Sequence, residues 1–221
     1  DFLAGAGTQT SALAFGGRIN PPYTNKTESW NGSIWTETSD LNIARTELAG
    51  AGVNNTSSLA FGGEIAPNTG ATEEWNAGIN LGAWYTGGNM NTGRSALAGA
   101  GTQDATLAFG GTTSPPTFLA NTESYNGTAW AEVNDLNTAR GHLGGAGTQT
   151  AALAFGGGFA RTNVTESWNG YVWTEVNDLN TARAYIAGFG TQTSAIAFGG
   201  NTPAPVVTPN TELWNGSNWT E

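Results

Sequence analysis

One phrase of this chain keeps returning. Leu3-Ala4-Gly5-Ala6-Gly7-Thr8-Gln9-Thr10-Ser11-Ala12-Leu13-Ala14-Phe15-Gly16-Gly17 comes back four more times, ending at Phe61-Gly62-Gly63, Phe109-Gly110-Gly111, Phe155-Gly156-Gly157 and Phe198-Gly199-Gly200. Successive Phe-Gly-Gly marks are 46, 48, 46 and 43 residues apart. A unit this short must bury its apolar face against its neighbours, and a period in the forties fits a four-stranded propeller blade. The expectation is an all-β propeller of five blades, each of four antiparallel strands, forming one domain over residues 1–221. A six- or seven-bladed ring of which five blades are present stays open as the alternative. The chain starts and stops within a repeat, which points to a longer parent chain.

Each unit divides into the same segments. First comes a short run alternating Gly with Ala, suited to an innermost strand crowding a narrow axis. After a polar turn, Ala12–Phe15 and its copies place Leu13 and Phe15 on one face and the two alanines on the other. The Gly-Gly pair ends that strand and supplies φ > 0. Then the units diverge over Arg18–Lys26, Glu64–Ala71, Thr112–Asn121, Gly158–Val164 and Asn201–Asn210. A hairpin follows, as in Glu28-Ser29-Trp30-Asn31-Gly32-Ser33-Ile34-Trp35. Asn-Gly suggests a two-residue type I′ turn, which would set Glu28 opposite Trp35 and Trp30 diagonal to it. The pattern repeats at Trp168 with Trp173 and Trp214 with Trp219; Tyr125 stands in for the first Trp of the third unit, and the second unit has a longer loop. A connector ending in Arg45, Arg94, Arg140 or Arg183 closes four of the units. Each blade is continuous in sequence, so ring closure is expected to rest on packing between first and last blades.

These residues resemble a kelch-type repeat: a hydrophobic strand ending in Gly16-Gly17, an aromatic before a Trp (Trp30, Trp35), and an Arg near the next unit (Arg45). The resemblance covers the whole chain and implies the propeller fold. It leaves function open, because such propellers serve enzymes, adaptors and lectin-like binders. The Asn/Thr/Gly-rich wording is also similar to kelch-like repeats of bacteriophage virion and tail-fibre proteins.

A net charge of −10 with seven Lys plus Arg argues against nucleic-acid binding. There is no cysteine, and no apolar run long enough for a membrane helix. His142 is the only histidine and has no Cys to share a metal. Asp and Glu are spread among the blades, which gives no glycosidase-like pair to name. Copper-radical oxidases share the scaffold but need a cysteine–tyrosine pair. Asn31, Asn126 and Asn215 begin Asn-x-Ser/Thr triplets, a weak glycosylation signal in such turns. No catalytic residue, metal or cofactor is expected.

Two sets of residues are candidates. Arg45, Arg94, Arg140 and Arg183, with Glu28, Glu73, Glu123, Glu166 and Glu212, recur with the fold and read as Arg–Glu ties between blades rather than a ligand ring. Trp30, Trp35, Trp168, Trp173, Trp214 and Trp219 read as packing between outer strands, with sugar stacking as the second reading. The diverging segments are the candidate binding rim, through Arg18, Tyr23, Lys26, Glu64, Phe118, Phe159 and Arg161. The functional expectation is a non-enzymatic recognition or structural module on a virus particle or extracellular surface, binding a host glycan or another virion protein. A cellular lectin or adaptor is the alternative, and a sugar-processing enzyme the third.

Overall fold

The computed structural model describes residues 1–19, 22–78, 82–114, 117–204 and 206–221. They form five four-stranded antiparallel sheets, with no helix among them. Blade 1 holds β1 (Ala4–Thr8), β2 (Ser11–Phe15), β3 (Thr27–Trp30) and β4 (Trp35–Glu37). Blade 2 holds β5 (Ala49–Asn54), β6 (Ser57–Phe61), β7 (Thr72–Asn76) and β8 (Ala83–Thr86). Blade 3 holds β9 (Ala98–Gly101), β10 (Thr106–Phe109), β11 (Thr122–Tyr125) and β12 (Trp130–Val133). Blade 4 holds β13 (Gly144–Thr148), β14 (Ala151–Phe155), β15 (Thr165–Trp168) and β16 (Trp173–Val176). Blade 5 holds β17 (Ala187–Thr191), β18 (Ser194–Phe198), β19 (Thr211–Trp214) and β20 (Trp219–Thr220). Strands neighbour one another in chain order, so each blade is continuous in sequence.

The blades join through one repeated contact. Phe15, Phe61, Phe109 and Phe155 each meet the second hairpin Trp of the next blade, at centroid distances of 4.9–5.1 Å to Trp84, Trp130, Trp173 and Trp219. Each of those indoles donates to a threonine hydroxyl of the preceding blade, at Thr27, Thr72, Thr122 and Thr165 (2.9–3.1 Å). An aromatic pair adds about 0.5–1.5 kcal/mol beyond the area it buries. The inner strands need glycine for the same contact: a Cβ on Gly99 would lie 2.5 Å from the tip of Phe61.

Two expectations are corrected. The hairpin pairs Trp30 directly with Trp35, and Glu28 with Glu37. The loop therefore has four residues, Asn31–Ile34, because the Asn31 side chain accepts from the amides of Ser33 and Ile34 (both 3.0 Å) and holds a wider turn. Among the described residues the expected closure by strand packing between first and last blades is also not found, and Phe2 with Tyr185 is the ring contact that links the two units. β1 packs beside β5, β5 beside β9, β9 beside β13 and β13 beside β17, but no comparable packing joins β17 to β1.

Candidate functional site

The second residue before each inner strand is left-handed. Phe2, Glu47, Ala96, His142 and Tyr185 have φ of 57°, 52°, 53°, 55° and 59°. None is glycine, so each carries a steric cost that its surroundings must offset. A chain of backbone hydrogen bonds does so. The amide of Glu47 donates to the carbonyl of Phe2, Ala96 to Glu47, His142 to Ala96 and Tyr185 to His142, at 2.8–3.1 Å. These five residues run round the axis at one end of the propeller, one from each blade, and their side chains differ completely.

The diverging segments start at the same end. Their first residues bridge to the connectors at Thr46 with Glu64, Ser95 with Thr112 and Ala184 with Asn201. The two sets together enclose a cavity of about 290 Å³ lined by Glu47, Glu64, Asn68, Ser95, Phe118, His142, Phe159 and Tyr185, among others. A second hollow of about 310 Å³ shares Glu47, His142 and Tyr185 with it and is lined also by Leu3, Leu48, Leu97, Leu143 and Ile186.

One wall is an arc of rings. Phe159 lies 4.3 Å from Phe118, Phe118 stands edge-on 6.5 Å from His142, His142 lies 4.1 Å from Tyr185, and Tyr185 is 6.4 Å from Phe2. The Arg18 guanidinium sits 5.6 Å above the Phe2 ring and ends the arc with a cation. The facing wall is polar. Tyr23 donates its hydroxyl to Glu64 Oε1 (2.8 Å), and Ser95 donates to Glu47 Oε2 (3.1 Å). Each carboxyl keeps a second oxygen for a ligand. Burial raises the pKa of Glu47, and the nearby Glu64 charge adds to the effect. Burial lowers His142 to about 4, so its ring is neutral at pH 7.

Of the seven rim candidates, the structure gathers Arg18, Tyr23, Glu64, Phe118 and Phe159 at this mouth. Lys26 is drawn to Glu37 (2.6 Å) and Asp40 (3.1 Å) instead. Arg161 bonds the backbone of Phe159 at 3.5 Å. The left-handed ring was missed from sequence, though a signal existed: the second residue after each connector arginine is Glu47, Ala96, His142 or Tyr185, a variable position inside an otherwise fixed stretch. Sequence also spread the acids among the blades, whereas the fold brings Glu47 and Glu64 to one cavity with His142.

The recurrent charges lie elsewhere, inside the blade interfaces. Arg45 meets Glu73, Arg94 meets Glu123, Arg140 meets Glu166 and Arg183 meets Glu212 at 2.6–3.0 Å, all fully buried. The other oxygen of each glutamate takes the backbone and side-chain N–H groups of Asn42, Asn91, Asn137 or Asn180. Glu28 is exposed and has no such partner among the described residues. Trp168, Trp173, Trp214 and Trp219 are buried, Trp30 is half-buried and Trp35 is exposed. No group of three or more metal-ligating side chains occurs among the described residues.

Among solved structures, the chain is similar to one titled "Structure of YjhT". The match has a TM-score of 0.79 at 13% identity and covers 96% of this chain and 80% of that one. The chain shares a propeller fold with YjhT. At this identity the likeness to YjhT carries the fold alone. No family model matches the chain, and no curated protein matches it in sequence.

Proposed function

We propose that this chain is a non-enzymatic recognition propeller, carried on a virus particle, that binds a neutral host-surface glycan in the axial mouth. The observation that carries the reading is the ring arc from Phe159 through Phe118 and His142 to Tyr185, which lines one cavity together with the carboxyls of Glu47 and Glu64. The C–H faces of a pyranose stack on aromatic rings, while its hydroxyls donate to carboxylate oxygens. Two acids at the mouth and a chain charge of −10 disfavour anionic sugars. Display on a virion is supported by the Asn/Thr/Gly-rich repeat wording, and selectivity by the diverging segments around the cavity. A recognition role without turnover fits His142, whose ring packs between Phe118 and Tyr185.

The test is a glycan array read with the native chain and with Phe118→Ala and Tyr185→Ala. Neutral glycans should bind, and each variant should weaken binding about tenfold, the loss of roughly 1–1.5 kcal/mol from one stacking surface. An array empty of neutral glycans, together with a pull-down that recovers no virion protein, would refute the reading. One observation favours a second reading: a raised carboxyl at Glu47 in the same cavity as a neutral His142 is an acid beside a base. Turnover of a bound sugar that is lost in both Glu47→Gln and His142→Asn would replace recognition by catalysis.

A further inference from the structure

Four blade interfaces follow one plan, and on the fifth side its two halves stand unmet, one on blade 5 and one on blade 1. On blade 5, Phe198 is 37% exposed and its one ring contact among the described residues is Phe189 at 6.1 Å, where its four counterparts meet a Trp. Thr211 is exposed, where its counterparts accept an indole N–H. Leu213 beside it is 54% exposed. On blade 1, Trp35 is 47% exposed and Glu28 lacks the Arg and Asn that its four counterparts hold. Gly5 has no aromatic tip over it, whereas Gly50, Gly99, Gly145 and Gly188 each lie under the Phe of the preceding blade.

We propose that this open side binds one further four-stranded unit of the same repeat type. The unmet groups define the occupant. Toward blade 5 it presents a Trp that rests on Phe198 and donates to Thr211. Toward blade 1 it presents a Phe that covers Gly5 and meets Trp35, a Thr that accepts from the Trp35 indole, and an Asn and Arg that reach Glu28. Neither direct docking of blade 5 on blade 1 nor a second copy of this chain satisfies Glu28. Arg45, Arg94, Arg140 and Arg183 are each committed to another glutamate, Lys26 is held by Glu37 and Asp40, Arg18 lies over Phe2 at the axial mouth, and Arg161 bonds the backbone of Phe159. The inference rests on the interfaces alone and is independent of the glycan reading.

The experiment compares the 221-residue chain with one extended after Glu221 by a copy of residues 176–221 and then a copy of 176–183. The extended chain should melt as one unit, about 5–10 °C higher, because a stacked repeat adds its interfaces to the array. Glu28→Gln should be silent in the original chain and should lower the melting temperature of the extended one. Separate melting of the added unit, with Glu28→Gln silent in both chains, would overturn the proposal. A control on the original chain decides even where the extension fails to fold. The pair Phe198→Cys and Trp35→Cys should stay reduced under mild oxidant, since a disulfide needs Cα atoms within about 7 Å. Its rapid oxidation within one molecule would mean that blades 5 and 1 close directly. A dimer of the original chain with Trp35 protected from quenching would mean a second copy fills the gap.

Discussion

Glu123 shows what one repeated residue contributes. It is fully buried, and its carboxylate takes four N–H groups, two from Asn91 and one each from Thr92 and Arg94. Breaking a buried pair by removing one partner costs about 3–5 kcal/mol, because the other charge is stranded. Glu123→Ala should therefore cost about that much in urea denaturation, while Glu28→Ala, exposed and unpaired, should cost under about 0.5 kcal/mol. His142 gives a pH dependence with a definite sign. Its folded pKa is depressed, so the unfolded chain binds the proton first, and stability is lost as pH falls from about 6.5 toward about 4. Glu47, Glu64 and Tyr185 line the same cavity. Glu47 works the other way: its raised folded pKa favours the folded state as it protonates. His142→Asn should therefore flatten the fall in melting temperature below pH 6.5, and Glu47→Gln should steepen it.

Strands were legible from sequence because Leu13, Phe15 and their copies alternate with small residues on a strict period of two. The hairpin turn was misread because Asn-Gly suits two turns, and the Asn31 side chain chooses the wider one by bonding two amides. Asn31→Ala and Asn169→Ala should each cost about 0.5–1.5 kcal/mol, the worth of the bonds lost. The left-handed ring was not legible, since nothing in the residue types Phe, Glu, Ala, His and Tyr announces a positive φ. The inter-blade amide chain holds it in place. Relief of that strain should make Ala96→Gly stabilising by about 0.5–1 kcal/mol in thermal melts, an unusual sign for a glycine placed beside a strand.

At the scale of the molecule, period and segment order carried the five-bladed arrangement, but closure did not follow from them. Whether two blades meet depends on partners from both: blade 5 offers Phe198 and Thr211 and blade 1 offers Trp35 and Glu28, but no described arginine pairs with Glu28. The candidate site was half legible for a related reason: diverging segments announce a rim, while the acids and His142 that meet there are tens of residues apart in the chain. The amide chain around the axis has one more consequence. The bonds that join positions 2, 47, 96, 142 and 185 run between main-chain atoms, which any residue but proline supplies. Such a molecule can change what it recognises by single replacements at five known places while the bonds that join its blades there stay the same.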